Sequence, residues 1–298
     1  MLISSYDFPS ISIVTPSFNQ AEFLEHTIDS VLSQGYPGLQ YLIIDGGSTD
    51  GSVEIIQRHQ QHLSFWCSEP DGGPWAAILK GVQHCRGAWF NWLNADDLLL
   101  PGSLALLAEL IRLCPDAPWI TGARLDIDAL GRPVSSTCPW IRQPTTLIYG
   151  KPFLPQDATF MRLEFFLATA AQVPCDLHNL FDTVLHHLLW ARQPPLFTTT
   201  VFSAMRWHGA QRTAQADRRL SEAERPDVQA SRLPLPPLPR LLRRLSRTRL
   251  HRFIDGLAWQ LGAAGLANTL ELSAAVYDPW QQRYVLSTVA EALARGDF

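Results

Sequence analysis

With 298 residues, the chain is long enough to bury the core of one large α/β domain, alone or with a small appendage. A charged fraction of 17% is below the usual ~25%, and a formal net charge of −4 gives no reason to expect nucleic-acid binding. The five scattered cysteines include no C-x-x-C pair, which argues against a disulfide framework or a zinc site and fits a reducing compartment. The amino terminus shows no basic segment followed by a long apolar run, so no signal peptide is expected. No uncharged apolar stretch reaches the ~18–20 residues that span a bilayer, and the expected location is the cytoplasm.

From residue 11 the pattern alternates between short apolar runs and helical stretches. "ISIVT" (11–15) reads as a buried strand ended by Pro16, which cannot donate to a ladder. "NQAEFLEHTIDSVLSQ" follows with Phe23, Leu24, Ile28, Val31 and Leu32 at helical spacing, and Asn19 with Glu22 forms a candidate capping box. "QYLII" (40–44) is the second strand, and the turn-rich "DGGSTDGS" leads into the helix "SVEIIQRH". "LSFWCS" (63–68) is the third strand. After "EPDGG" comes a helix with Trp75, Ile78, Leu79 and Val82 on one face, closed by Gly87. "AWFNWL" (88–93) is the fourth strand, carrying "NADD" at its carboxyl end, and Pro101-Gly102-Ser103 opens a further helix. Residues 120–136 read as a hairpin turning at Gly131, with the acids of "DID" (126–128) solvated, and residues 160–192 read as mostly helical.

Strand–helix–strand at this spacing implies parallel strands joined by right-handed crossovers, with ligands beyond the carboxyl ends of the strands. That rule gathers Asn19, Asp45, Asp71, Asp96 and Asp97 on one rim. Asp96 and Asp97 repel each other, so their adjacency calls for an explanation. A hard divalent cation such as Mn²⁺ or Mg²⁺, with a substrate diphosphate as co-ligand, would supply one, and capping of the helix near Pro101 is the plainer alternative.

The run "SIVTPSFNQAEFLEHTIDSVLSQGYPGLQYLIIDGGSTDGSVEII", then "SEPDGG", then "GAWFNWLNADDLLLPGSL", resembles family 2 glycosyltransferases. The resemblance implies a GT-A fold: a Rossmann-like, mainly parallel sheet flanked by helices, binding a nucleotide-diphosphate sugar. It spans residues 1–215 as the catalytic domain, followed by a Pro/Arg-rich linker at 216–240 and a helical carboxyl-terminal extension at 241–298. By the same resemblance "NADD" is the metal motif, with Asp97 the direct ligand and Asp96 near ribose or metal. Pro16, Phe18, Asn19, Asp45, Asp71, Lys80 and Asn94 fall at donor-binding positions, and Phe18 would stack on the base. In "MRWHGAQRT" (205–213), Arg206 would clamp a diphosphate bidentately and His208 would contact phosphate or metal. "LFDTVLHHLL" offers Asp182 as the base that deprotonates an acceptor hydroxyl, with Asp157 in "LPQDATF" as its competitor.

Such a protein would transfer a sugar, with inversion, to a glycan or lipid-linked acceptor in polysaccharide or glycan biosynthesis. Ala76, Leu79, Val184 and Leu188 depart from the pattern the family leads one to expect. They motivate the alternative of a non-catalytic nucleotide-sugar-binding or scaffolding protein of the same fold. The arginine- and leucine-rich segment 240–254 could touch anionic lipid on the inner membrane face or pack as an ordinary solvated helix. Neither a G-x-G-x-x-G nor a G-x-x-x-x-G-K-[ST] sequence is present, which leaves dehydrogenase and kinase readings without support.

Overall fold

The computed structural model describes residues 8–139, 154–209, 211, 225–231, 273–278, 283–288 and 291. The first half alternates strictly: β1 (Ile11–Ser17), α1 (Ala21–Leu32), β2 (Leu39–Asp45), α2 (Ser52–His59), β3 (Phe65–Ser68), α3 (Pro74–Val82) and β4 (Trp89–Trp92). Then come β5 (Leu98–Leu99), α4 (Ser103–Leu113), β6 (Trp119–Asp128), β7 (Pro133–Thr137), β8 (Thr159–Arg162), α5 (Leu163–Ala170), α6 (Phe181–Arg192) and β9 (Leu196–Trp207). A short α7 (Arg225–Ala230) and the hairpin strands β10 (Ser273–Asp278) and β11 (Arg283–Thr288) follow. All the described strands join one sheet in the order β11-β10-β9-β6-β8-β4-β1-β2-β3, with β5 added to β9 and β7 to β6. β3, β2, β1 and β4 are mutually parallel, whereas β8 runs antiparallel to both β4 and β6.

Strand side chains alternate between two buried layers, as a doubly covered sheet requires. Val14, Leu42, Ile44, Phe90 and Trp92 pack against α3, α5 and α6, while Ile13, Tyr41, Ile43 and Trp89 pack against α1, α2 and α4. The sheet is mixed beyond β4, so the parallel half carries the expected Rossmann-like order and the other half carries long strands that cross beneath its carboxyl edge.

Several expectations change. β1 continues through Pro16 to Ser17. Val14 accepts from Leu93 on the β4 side, and Pro16, two residues on, faces the same side after β4 has stopped pairing, so its missing N–H costs no ladder bond. Gly87 lies past the end of α3. A Cβ there would sit 2.5 Å from the Ser12 nitrogen, so close backbone crossing requires the glycine. "TFMR" within the stretch expected to be helical is strand β8, hydrogen-bonded between two others. The 241–298 segment is not wholly helical: "SAAVYD" and "RYVLST" form a hairpin on the sheet, consistent with their β-branched and aromatic residues. Part of the expected linker, 225–230, is helical and buries Val228. The basic segment 240–254 lies outside the described residues. Among the described residues no helix is long and apolar enough to cross a membrane.

His186 on α6 is sealed between Trp92 and Trp119, ring centroids 6.5 and 6.2 Å away, and its Nε2 has no hydrogen-bond partner. Burial first, and the neighbouring His187 second, hold its pKa down at about 3. The folded state therefore refuses a proton that the unfolded chain accepts below its ordinary value near ~6.5. Stability should fall as pH drops from ~6.5 towards 3, by up to about 1.4 kcal/mol per pH unit from this group. Urea denaturation of His186→Phe across that range should show a shallower decline than the natural chain; equal slopes would contradict it.

Candidate active site

The carboxyl ends of β1, β2 and β3 build one wall of the rim. Asn19, the one described non-glycine residue with positive φ (50°), does not cap α1 as expected. Its Oδ1 accepts from the Thr49 amide at 2.9 Å and its own amide donates to Ser48 Oγ at 2.8 Å, so it staples the β1–α1 turn to the loop after β2. The cap comes from that loop: Asp50 accepts the Ala21 amide at 2.9 Å and the Ser52 amide at 3.0 Å, so one carboxylate serves two helix starts. Burial pushes the Asp50 pKa up, but a hydrogen bond from Ser52 Oγ at 2.6 Å and these amide bonds together hold it below its ordinary value.

Asp45 is only 1% exposed. It accepts from the amides of Gly47 and Ser48 and from the hydroxyls of Ser48 and Ser68 at 2.5–3.1 Å. It therefore shapes the loop from within and does not present itself to a donor. Pro16 is likewise buried. Phe18, in contrast, is 60% exposed. A Cβ on Gly46 would lie 3.3 Å from the Phe18 ring and 3.2 Å from Asp71 Oδ2, so Phe18 and Asp71 face each other across a glycine floor. Asp71 also accepts the Gly73 amide at 2.7 Å, which fixes the turn into α3. Lys80 is ion-paired with Glu69 beside Cys67, and the Glu69 hydrogen bond leads the upward shift of its pKa.

The other wall is the turn after β4. Neither acid caps α4, whose N-cap is Gly102. Asp97 points inward, 2% exposed: Oδ1 accepts the Arg206 amide at 3.0 Å and Oδ2 the Asn94 side-chain amide at 3.1 Å. Burial pushes its pKa well above the usual carboxylate range, repulsion from Asp96 and Asp157 adds to that, and the two hydrogen bonds oppose it. Asp96 points toward the rim, its Oδ2 lying 3.0 Å from His208 Nε2. Asp96 is the less buried of the two acids, with 13% of its side chain exposed against His208, and Asp97 stands behind it.

Arg206 does not stand open as a diphosphate clamp. It is 3% exposed, donates from Nε to the Asp96 carbonyl at 3.1 Å and from a terminal nitrogen to the Ala129 carbonyl at 3.1 Å, and lies over the Phe23 ring at 5.0 Å. Phe23 also packs on His208, ring centroids 4.4 Å apart. Thr27 donates to the carbonyls of Ala95 and Asp97 at 2.9 and 2.8 Å. A threonine on the apolar stripe Phe23, Leu24, Ile28, Val31 is the one signal of this role in the sequence.

Asp126 is buried in β6, accepting from Ser135 and Thr137 at 2.7 and 3.0 Å, so only Asp128 of "DID" matches the solvated turn. Asp157, the competitor for the base, is 2% exposed and holds Arg124 at 3.1 Å and Ser203 Oγ at 2.5 Å, so it does not stand open to an acceptor. Asp182 lies in the first turn of α6, half-buried, its Oδ1 accepting the Thr183 amide at 2.6 Å. The preceding Phe181 stacks on Trp75 at 5.2 Å and meets Trp92 at 6.3 Å, which seats this helix start beside the openings of α3 and the "NADD" turn.

Residues 12–165 match the model for "Glycosyl transferase family 2", more than half of the chain. The chain belongs to glycosyltransferase family 2. Over 90 residues it is 39% identical to an uncharacterized glycosyltransferase of Mycobacterium tuberculosis, covering 30% of this chain and 34% of that relative. The chain thus matches about a third of that relative's length. Staphylococcus aureus TarS 1–349, solved with UDP-GlcNAc, superposes with a TM-score of 0.62 at 13% identity, over 88% of this chain and 81% of that one. The mannosyltransferase PcManGT of Pyrobaculum calidifontis, solved with GDP-Man and Mn²⁺, gives 0.56 at 17% identity, over 88% and 75%. These two likenesses show the GT-A fold.

Within the family 2 frame, the departures at α3 and α6 are packing positions. Val184 is buried, Leu79 and Leu188 pack against the same core, and a Cβ on Gly72 would touch the small Ala76 at 3.4 Å. Arg206→Met should lower stability by about 1.5–3 kcal/mol by removing charged hydrogen bonds to the Asp96 and Ala129 carbonyls. Phe18→Ala, at an exposed ring, should change stability by no more than about 0.5 kcal/mol. Chemical denaturation of both variants checks the pair; a stable Arg206→Met chain would contradict the buried-scaffold role.

Proposed function

We propose that the chain is a metal-dependent glycosyltransferase that moves a sugar from a nucleotide-diphosphate sugar to an acceptor hydroxyl with inversion, in polysaccharide or glycan assembly. The observation that carries this reading is the pairing of Asp96 with His208 on the same sheet edge as Phe18 and Asp71. Among the described residues no group of three or more His, Cys, Asp or Glu forms a self-sufficient metal cage. One carboxylate and one imidazole suit an ion that takes its other ligands from water and substrate phosphates. Asp96 and His208 would hold Mn²⁺ or Mg²⁺, with Asp97 directly behind them. Such an ion, when bound, supplies positive charge to a departing nucleoside diphosphate.

The protein groups divide the rest of the work. Phe18 offers a stacking face to the base, Asp71 a hydrogen-bond acceptor to the nucleoside, and Asn94 holds Asp97 in place. Lys80 and Asn19 act through the loops they fix. Asp182 accepts the proton of the acceptor hydroxyl as that oxygen bonds to the anomeric carbon and the bond to the diphosphate oxygen breaks. One base and no covalent intermediate give inversion. A glycan or lipid-linked acceptor at the cytoplasmic membrane face, approached through residues 240–254, completes the proposal. Leu79, Val184 and Leu188 have packing roles in the core, which accounts for them without loss of turnover.

Asp182→Asn should leave nucleotide binding within threefold while transfer falls by about 10²–10⁴-fold. Single-turnover transfer measured beside calorimetric binding checks this; unchanged transfer would move the base elsewhere.

A further inference from the structure

His208 is the first residue beyond the end of β9, so no sheet ladder fixes its backbone. The last register pair of β9 with β6 is Trp207 with Asp128. On the other flank β5 pairs with β9 only at Ser203 and Ala204. β9 therefore reaches the rim with a bare edge, and an imidazole set against Asp96 needs its turn held by other means. Gln211 supplies two bonds to that turn. Its backbone amide donates to the His208 carbonyl at 3.2 Å, and its side-chain Nε2 donates to the Arg206 carbonyl. The residue is 5% exposed, and its Oε1 is buried with no hydrogen-bond partner among the described residues.

An amide oxygen sealed from water without a partner costs about as much as the bond at the nitrogen contributes, so this carboxamide adds little to stability. What it fixes is geometry. We infer that Gln211 is a positioning residue for His208: it takes the place of the missing ladder partner at the end of β9 and holds Nε2 at its 3.0 Å separation from Asp96. The consequence for cation binding rests on the metal-dependent donor site proposed above. Phe23 packs on the imidazole, ring centroids 4.4 Å apart, but a ring contact leaves the backbone beneath it unheld. Arg206 already donates from its amide to Asp97 and from its side chain to the Asp96 carbonyl. By bonding the carbonyl of that same residue, Gln211 ties the turn that carries His208 to the anchor that grips the "NADD" turn.

The test compares the full chain with Gln211→Met, His208→Ala and the double variant. Each is titrated calorimetrically with Mn²⁺ alone and examined by proton–nitrogen NMR of the imidazole rings, the His208 signals being those absent from His208→Ala. Gln211→Met keeps the length of the side chain and removes the donor. It should bind Mn²⁺ about 10–100-fold more weakly, the loss usual for a group that orients a metal-bound histidine. Its His208 ring signals should shift, while its urea midpoint stays within about 0.3 M of the natural value. The double variant should bind Mn²⁺ within about twofold of His208→Ala, because Gln211 acts through His208; a larger further loss overturns the inference. Unmoved His208 signals, or unchanged Mn²⁺ affinity, in Gln211→Met overturn it as well. Should Gln211→Met not fold, Gln211→Leu takes its place, and failure of both to fold makes the carboxamide a stability element and overturns the inference. If the natural chain takes up no Mn²⁺, the metal-site reading falls, and the ring signals alone decide whether Gln211 positions His208.

Discussion

The site depends above all on one long-range attachment: the backbone and side chain of Arg206 grip the "NADD" turn from the end of β9, beside the hold of Thr27 on the same turn. The Arg206 amide donates to Asp97 Oδ1 and its Nε donates to the Asp96 carbonyl, across a sequence separation of 109 and 110 residues. Without that grip two adjacent carboxylates would splay into solvent, the ordinary resolution of such repulsion. With it, one acid is drawn inside and the other is left on the rim against His208. The mixed half of the sheet serves this purpose, because β9 must run beside β6 and reach under the carboxyl end of β4 to place Ser203, Arg206 and His208 in turn.

The parallel half of the fold was legible because its signals are local. Apolar runs four to seven residues long, separated by helical periodicity and glycine-rich turns, give β1 to β4 and α1 to α4 almost in place. The rim followed from topology alone, since carboxyl ends of parallel strands must gather their loops on one edge. The second half was not legible in the same way. "LFTTTVFSAMRW" has a β-rich composition but no turn signal binding it to a partner, and its neighbours β6 and β10 lie far away in sequence. The terminal hairpin pairs locally, but its short strands follow an arginine- and leucine-rich sequence that drew the whole segment into a helical reading.

At the site, residue types pointed to loops that the fold gathers on one edge but not to the direction of each side chain. Asp45 and Asp97 are functional-looking acids turned inward, where hydrogen bonds from backbone and hydroxyl groups satisfy them. Arg206 has the chemistry of a phosphate clamp and the burial of a structural brace. Which of two neighbouring aspartates turns inward depends on a donor arriving from β9, and no spacing within "NADD" encodes that. Thr27, Asp50 and Arg124 escaped notice because each acts on a partner that only the folded chain brings near.

The central claim is a cation-dependent nucleotide site built on Asp96 and His208. Calorimetric titration with UDP, GDP and dTDP, each with and without Mn²⁺, on the natural chain and on Asp96→Ala, tests it most directly. The account predicts that one nucleotide binds at least tenfold more tightly with Mn²⁺ and that this gain disappears in Asp96→Ala. Failure of all three nucleotides to bind, or a metal-dependent gain that survives in the variant, would contradict it.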